Sequence, residues 1–375
     1  MKYYIIAGEA SGDLHGSNLM KGLNQADSEA DFRFWGGDLM VVQGGVMVKH
    51  YKETAFMGFW EVFKNFGTVR KNLKICKQDI LDYAPDVVIL IDYPGFNFRI
   101  AEFAHNKGLK VFYYIAPKVW AWKESRVKRL QKFVDKLFII FPFEVDYFKK
   151  WGIEAYYAGN PLIDLIEDRM KNKVPFLQFV KHNKLDNKPI VALLAGSRKQ
   201  EVSYILPRLV ELSKYYPDYQ FVVAGAPSLD KSLYQKYLSG TDVKYVHNKA
   251  YELMMHATAA VVASGTATLE ALLFNVPQVV CYGGNELSYW IAKIFVKIKY
   301  VSLVNIIAER EVVFELIQHD MALVNIKNEL DALLPGGEKR EKMLKNYDEI
   351  RIMLGEPGAS YLVAQNIVNE LIKQL

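Results

Sequence analysis

The sequence predicts an α/β protein made of two doubly wound, Rossmann-like domains facing one cleft. Three observations predict it. Short apolar runs alternate with longer amphipathic stretches, the texture of parallel strands covered by helices on both faces. The alternation runs twice, broken by a polar, Lys- and Asn-rich stretch from Leu165 to Lys188 that reads as the interdomain connection. Loops bearing glycine, serine or aspartate follow several of the runs, at the carboxyl ends where such sheets bind their ligands.

The elements follow in order. Lys2 to Ala7 reads as a first strand, ending in a turn that carries Gly8, Gly12 and Gly16. Val87 to Ile91, Val111 to Ile115 and Leu137 to Phe141 read as further buried strands, bounded by Pro85, Pro94, Pro117 and Pro142. Helical patterns lie between them, at Arg99 to Lys107 and Phe143 to Trp151. The second series has strands at Ile190 to Leu194, Gln220 to Ala224, Ala259 to Ala263 and Gln278 to Cys281. Its helical patterns fall at Val202 to Tyr215 and Leu269 to Phe274.

Composition bounds the class. The chain has 375 residues, enough for about two to three domains of roughly 150 residues. Hydrophobic residues make up 51% and charged residues 24%, which excludes disordered, collagen-like and coiled-coil chains. Mean hydropathy is -0.01 and no run of 18 uncharged apolar residues occurs, so no spanning helix is expected. A net charge of +5 favours an anionic partner but does not single out nucleic acid. The two cysteines, Cys76 and Cys281, have neither disulfide-framework nor metal-ligand spacing. The first apolar run is too short for a signal-peptide core, so a cytosolic protein with at most peripheral membrane contact is expected.

Four loops have the residues for chemistry. Gly8-Glu9-Ala10-Ser11-Gly12-Asp13 could bring helix N–H groups to an anion or sugar, and a tight strand-to-helix turn explains its glycines equally well. Asp92 ends its strand before Pro94 and suits either a general base facing the cleft or an Asx-type turn. In Gly196-Ser197-Arg198, Ser197 and Gln200 have capping-box spacing. Arg198 would then meet a phosphate at a helix start or simply face solvent. Ser264, Gly265, Thr266 and Thr268 open the next helix with small, hydroxylated residues that leave room for a diphosphate. Glu270 would take two ribose hydroxyls or compensate the helix dipole.

Two stretches are greasy. One contains Phe59, Trp60, Phe63 and Phe66, followed by Arg70, Lys71 and Lys74. The other places Trp290, Ile291, Ile294, Phe295 and Ile298 at helical spacing, with Lys293, Lys297 and Lys299 interleaved. Both suit a membrane surface or acyl chains, and both suit core packing. The basic run Lys123, Arg126, Lys128, Arg129 and Lys132 suits a solvated face, anionic head groups or a sugar phosphate.

Together these pieces resemble the lipid-A-disaccharide synthase family along nearly the whole chain. The matching blocks are Ala7 to Asp13, Met57-Gly58 with Glu61-Val62, Pro85 to Val88 with Ile91-Asp92, and Phe96-Asn97. They continue through Val119 to Trp122, Pro142 to Glu144, Gly196 to Arg198, Ala263 to Glu270, Tyr300 to Leu303 with Asn305, and Arg310 to Val312 with Glu315-Leu316. Departures include Gly95 where the family usually has Asp, Ala195 and Val304 where it has Pro, and Asn160 where it often has His.

The resemblance implies an inverting glycosyltransferase of GT-B type. Residues 1–165, joined by the final helix 357–375, would bind the acceptor, and residues 166–356 the UDP-sugar. It would join UDP-2,3-diacylglucosamine to 2,3-diacylglucosamine 1-phosphate through a β-1,6 bond and release UDP. Asp92 matches the base; Arg198, Ser264, Gly265, Thr266, Thr268, Glu270 and Asn305 the nucleotide side; and Glu9, Ser11 and Asn97 the acceptor side. No metal or other cofactor is implied. The partners would be the two lipid substrates and the cytoplasmic face of the inner membrane, without nucleic acid; a homodimer stays open. Rival readings are a peptidoglycan N-acetylglucosaminyl transferase, a UDP-GlcNAc 2-epimerase, or a non-catalytic UDP-sugar-binding membrane adaptor.

Overall fold

A computed structural model describes residues 1–53, 66–121, 124–283 and 299–373, with Phe66 described by its backbone alone. The chain divides into two compact units, Met1–Asp164 with Gly355–Leu375, and Leu165–Leu354.

In the first unit the strands are β1 (Lys2–Ala7), β2 (Asp31–Gly36), β3 (Val46–His50), β4 (Val87–Ile91), β5 (Lys110–Tyr114), β6 (Lys136–Ile139) and β7 (Ala155–Tyr157). They form a parallel sheet in the order β3-β2-β1-β4-β5-β6-β7. The second unit holds β8 (Ile190–Leu194), β9 (Gln220–Gly225), β10 (Lys244–His247), β11 (Ala257–Ala263), β12 (Gln278–Tyr282) and β13 (Glu315–Ile317). Their order is β10-β9-β8-β11-β12-β13, again with parallel pairing throughout.

The apolar runs are continuous because both faces of each sheet are covered. In β1, Tyr3, Ile5 and Ala7 enter one core with Leu19, Leu23 and Ile367. Tyr4 and Ile6 enter the opposite core with Ile80, Ile100 and Leu130. This period-two division sends alternate side chains to helices on either face.

The sequence reading omitted β2, β3, β7, β10 and β13. These strands are short or carry charges, and four of the five lie towards the sheet margins, where the apolar signal is weakest. The expected connection at Leu165 to Lys188 begins where the two units divide, between Asp164 and Leu165, but it is not irregular. Helices Pro161–Lys171 and Phe176–His182 occupy most of it, and Phe179 and Val180 are buried. Its polar residues lie on the exposed sides of these helices and in the turns between and after them.

The final helix, Ala359–Ile372, returns to the first unit and packs on helix Ala10–Ala26. Asp164 fixes its start by accepting hydrogen bonds from the N–H groups of Gly358 and Ser360. At Gly22 the two helices approach so closely that a Cβ would lie 2.9 Å from Ala364 Cβ and 3.1 Å from Tyr361 Cα. We expect Gly22→Val to destabilise the protein by about 1–3 kcal/mol through overpacking. Hydrogen exchange should accelerate first in 359–372. Unchanged protection there would show that the helix contact does not depend on this close approach.

Candidate functional site

In an open parallel sheet, the loops on either side of the strand-order reversal splay apart and leave a crevice. In the first sheet that reversal lies between β1 and β4, where Ala7 is registered against Ile91. The loops leaving these strands begin with Gly8-Glu9 and Asp92-Tyr93. In the second sheet it lies between β8 and β11, whose exits carry Gly196–Arg198 and Ser264–Thr266.

Asp92 and Tyr93 are both left-handed, with φ of 41° and 47°. The Asp92 N–H still donates to the Tyr114 carbonyl at 3.2 Å, but the chain then turns sharply into helix Pro94–Asn106. Tyr93 stacks on Phe96 and covers Gly8, where a Cβ would fall 2.3 Å from its ring. Glycine is therefore required at position 8 so that the two loops can meet. Burial pushes Asp92 up to about 6; the cation of Lys118 opposes the rise and the charge of Glu9 adds to it.

Glu9 and Ser11 are exposed at the start of helix Ala10–Ala26. Asp13, in the same loop, is buried and accepts from the N–H groups of Gly37 (2.7 Å), Leu39 (3.2 Å) and Met40 (3.1 Å). It is a scaffold residue. Asn97, expected on the acceptor side, is fully buried. Its Nδ2 donates to the carbonyls of Asp92 (2.8 Å) and Ile91 (3.2 Å), so it does not reach the surface of the site.

Three residues given no role in the sequence reading belong here. Glu144, only 1% exposed, follows β6. It accepts from Trp120 Nε1 at 2.9 Å and from the N–H groups of Phe141 (3.1 Å) and Ile140 (3.3 Å). Burial pushes it up to about 7 despite these donors. Trp120 packs edge-on against Phe141 and Phe143, so the loops after β5 and β6 are tied together. Lys118, exposed between them, lowers both Asp92 and Glu144.

The second unit contains a cavity of about 840 Å³. Its walls include Ser197 and Arg198 after β8, Tyr251 and Glu252 beyond β10, and Ser264, Gly265, Thr266 and Glu270 after β11. The expected Ser197–Gln200 capping box is corrected. Helix Lys199–Ser213 starts after Arg198, and Glu201 Oε2 accepts from the N–H groups of Ser197 (3.1 Å) and Arg198 (3.3 Å). The Arg198 side chain is 77% exposed and lies 3.5 Å from the Glu201 carboxylate.

The N-terminal turn of helix Thr266–Leu273 opens on the cavity. Ser264 Oγ donates to the Val301 carbonyl at 2.6 Å, and Thr268 Oγ1 donates back to the Gly265 carbonyl at 2.8 Å. Thr268 is fully buried and Asn305 lies outside the cavity walls. The Asn305 amide donates to the Val313 carbonyl (2.8 Å) and Glu315 (2.9 Å) and accepts from the N–H groups of Val312 (2.7 Å) and Val313 (3.0 Å). Glu315 also accepts from the N–H groups of Val301 (3.0 Å) and Ser302 (2.8 Å), so this network positions the wall that Ser264 touches.

Phe59, Trp60, Phe63, Trp290 and Phe295, and the side chain of Phe66, lie outside the described residues. Arg70, Lys71 and Lys74 are exposed on helix Phe66–Tyr83. In the basic run, Arg126 and Arg129 stand over the Phe98 ring, and Arg129 pairs with Glu102 at 3.0 Å; Lys128 and Lys132 are exposed. No helix among the described residues is long and apolar enough to cross a membrane.

Burial pushes Glu270 from an ordinary 4.5 up to about 7, with a 3.1 Å hydrogen bond from Tyr251 acting in the opposite direction. Between those values the folded protein retains a proton that the unfolded chain has released, so stability falls as pH rises. Glu270→Gln removes this term. Its stability relative to the unmodified chain should rise by on the order of 1–3 kcal/mol from pH 5 to pH 8. Urea melts at the two pH values test this, and an unchanged difference would contradict it.

Two doubly wound units with ligand-competent loops at their reversal points define the GT-B class of α/β proteins. The UDP-GlcNAc 2-epimerase of Neisseria meningitidis, solved bound to UDP-GlcNAc, shares the fold with a TM-score of 0.69 at 14% identity, over 98% of this chain and 100% of that one. The family model described as lipid-A-disaccharide synthetase matches residues 3–365. The lipid-A-disaccharide synthase of Geobacter metallireducens is 36% identical over 99% of this chain and 97% of its own length. That of Myxococcus xanthus is 35% identical over 98% and 97%. The chain belongs to the lipid-A-disaccharide synthase family and is a glycosyltransferase of lipid A biosynthesis.

Proposed function

We propose that the enzyme transfers the diacylglucosaminyl group of UDP-2,3-diacylglucosamine to the 6-hydroxyl of 2,3-diacylglucosamine 1-phosphate, with inversion, and releases UDP. The observation that carries this reading is Asp92: a partly buried carboxylate at the first sheet's reversal point, poised near neutrality. Asp92 takes the hydroxyl proton as the oxygen attacks the anomeric carbon. The C–O bond to UDP breaks with its electron pair leaving on the diphosphate. Direct displacement from the opposite face inverts the centre and requires no covalent enzyme intermediate.

The cavity of the second unit is the proposed UDP site. Gly265 and Thr266 open a helix whose partial positive charge favours a diphosphate, and Arg198 adds an exposed cation. Glu270 is assigned the ribose hydroxyls. Thr268 and Asn305 support the walls without touching the nucleotide. On the acceptor side, Glu9 and Ser11 are assigned to the sugar, and Asn97 acts from within the fold.

The substrates' acyl chains place the reaction at the cytoplasmic surface of the inner membrane, since each methylene in water is disfavoured by about 0.8 kcal/mol. Exposed Leu39, Val42 and Val46, on the segment preceding residues 54–65, suit such a surface.

Asp92→Asn should cut turnover by about 10²- to 10⁴-fold in a UDP-release assay with acylated donor. Its UDP affinity should remain intact. In the unmodified enzyme kcat/KM should rise with pH through about 6, because the base must be ionised. Near-normal turnover of Asp92→Asn refutes the assignment, and equal turnover of a non-acylated donor refutes the substrate class.

Arg198→Ala should weaken UDP binding by roughly ten-fold or more, the worth of a charge-assisted contact to a phosphate. Calorimetry measures this directly. Unaltered affinity would place the diphosphate away from Arg198.

A further inference from the structure

Nothing local favours the turn that carries Asp92. Both Asp92 and Tyr93 are left-handed and neither is glycine, so each adopts a conformation that side chains with a Cβ disfavour. Such strain persists only where the surroundings over-determine it. Here the Asp92 carbonyl receives two hydrogen bonds from inside the fold, 2.6 Å from the Tyr113 hydroxyl and 2.8 Å from Asn97 Nδ2. Asn97 also reaches the Ile91 carbonyl at 3.2 Å and so spans the last peptide of β4 and the first of the turn.

Both clamping side chains are 0% exposed. Neither is accessible to a sugar. The single oxygen of the Asn97 amide, Oδ1, is buried without a partner among the described residues, a cost that the Nδ2 bonds offset. The Tyr113 ring is held against Phe98, with centroids 6.0 Å apart, so its hydroxyl has a fixed direction.

We propose that Tyr113 and Asn97 are positioning residues for glycosyl transfer: they lock the left-handed Asp92 peptide and thereby aim the carboxylate out of the sheet edge. The inference rests on Asp92 being the base. With the clamp weakened, the turn relaxes towards an ordinary strand-to-helix exit and the carboxylate is oriented for only part of the time. Glu9 and Lys118, the charged groups that act on Asp92, stand on other loops and remain in place.

The experiment compares Tyr113→Phe, Asn97→Asp and Asp92→Asn by steady-state kinetics across pH, thermal melts and UDP calorimetry. Tyr113→Phe removes one hydroxyl and keeps the ring in the core. It should lower kcat about ten-fold with KM and UDP affinity within two-fold of the unmodified enzyme. The acid limb of kcat should move towards the ordinary carboxylate range as Asp92 becomes better hydrated. Asn97→Asp is isosteric but turns a donor on the Asp92 carbonyl into an acceptor, and should act in the same direction more strongly. Combined with Asp92→Asn, Tyr113→Phe should cost almost nothing further.

Unchanged kcat and pH profile in both clamp variants, with Asp92→Asn inactive, would overturn the clamp and leave the base standing. A loss that merely follows the folded fraction, with an unmoved acid limb, would also overturn it. So would an equal loss from Tyr113→Phe in the Asp92→Asn background, which would place the hydroxyl's action elsewhere. Near-normal turnover in Asp92→Asn itself would remove the base and the clamp together.

Discussion

Parallel pairing throughout both sheets obliges each strand to be followed by a crossover, because the chain must return to the opposite edge before pairing again. Crossover helices cover both faces of the first sheet, so its strands become continuous apolar runs and their side chains are committed to two cores. All carboxyl ends of a sheet then emerge at one edge. Loops separated by tens of residues in sequence meet there, and the reversal of strand order decides which two flank the crevice. Glu9 and Asp92 come together this way, as do Arg198 and Thr266 in the second unit. No side chain in either group is near its neighbours in sequence.

Burial gives the carboxylates different tasks. Glu144 is enclosed and accepts from three N–H donors, and it serves to tie the loop containing Trp120 to the turn after β6. Asp92 is partly open, with its main chain held from below and its charge tempered by Lys118 and Glu9. Glu270 accepts a hydrogen bond from the Tyr251 hydroxyl and faces a cavity large enough for a nucleotide. Desolvation raises all three towards neutrality, but accessibility separates a scaffold carboxyl from one that can meet a substrate.

The interior strands were legible because continuous apolar runs such as Val87–Ile91 and Ile190–Leu194 have few other uses. The weaker strands were not: β13 has three residues and begins with Glu315, while Lys244 opens β10. The division between the units was legible as a polar stretch, but helices Pro161–Lys171 and Phe176–His182 within it were not, because exposed residues dominate its composition. Asp92, Arg198 and Glu270 were singled out as candidates from their places at the ends of strands and starts of helices, which are local properties. Asn97 and Asn305 were assigned to ligands because side-chain chemistry alone does not reveal direction. Each is an amide turned inward on backbone groups.

The amino-acid sequence by itself determined the α/β class, the strand–loop–helix junctions and the family, since hydrophobic periodicity and ordered motifs are written along the chain. Tertiary structure alone decided which junctions share a reversal point, because strand order depends on pairings across dozens of residues. It also decided that Tyr113, a strand residue indistinguishable in sequence from its neighbour Tyr114, aims its hydroxyl at the Asp92 carbonyl. Successive strand side chains point to opposite faces, so adjacent tyrosines enter different cores and only one can reach that turn.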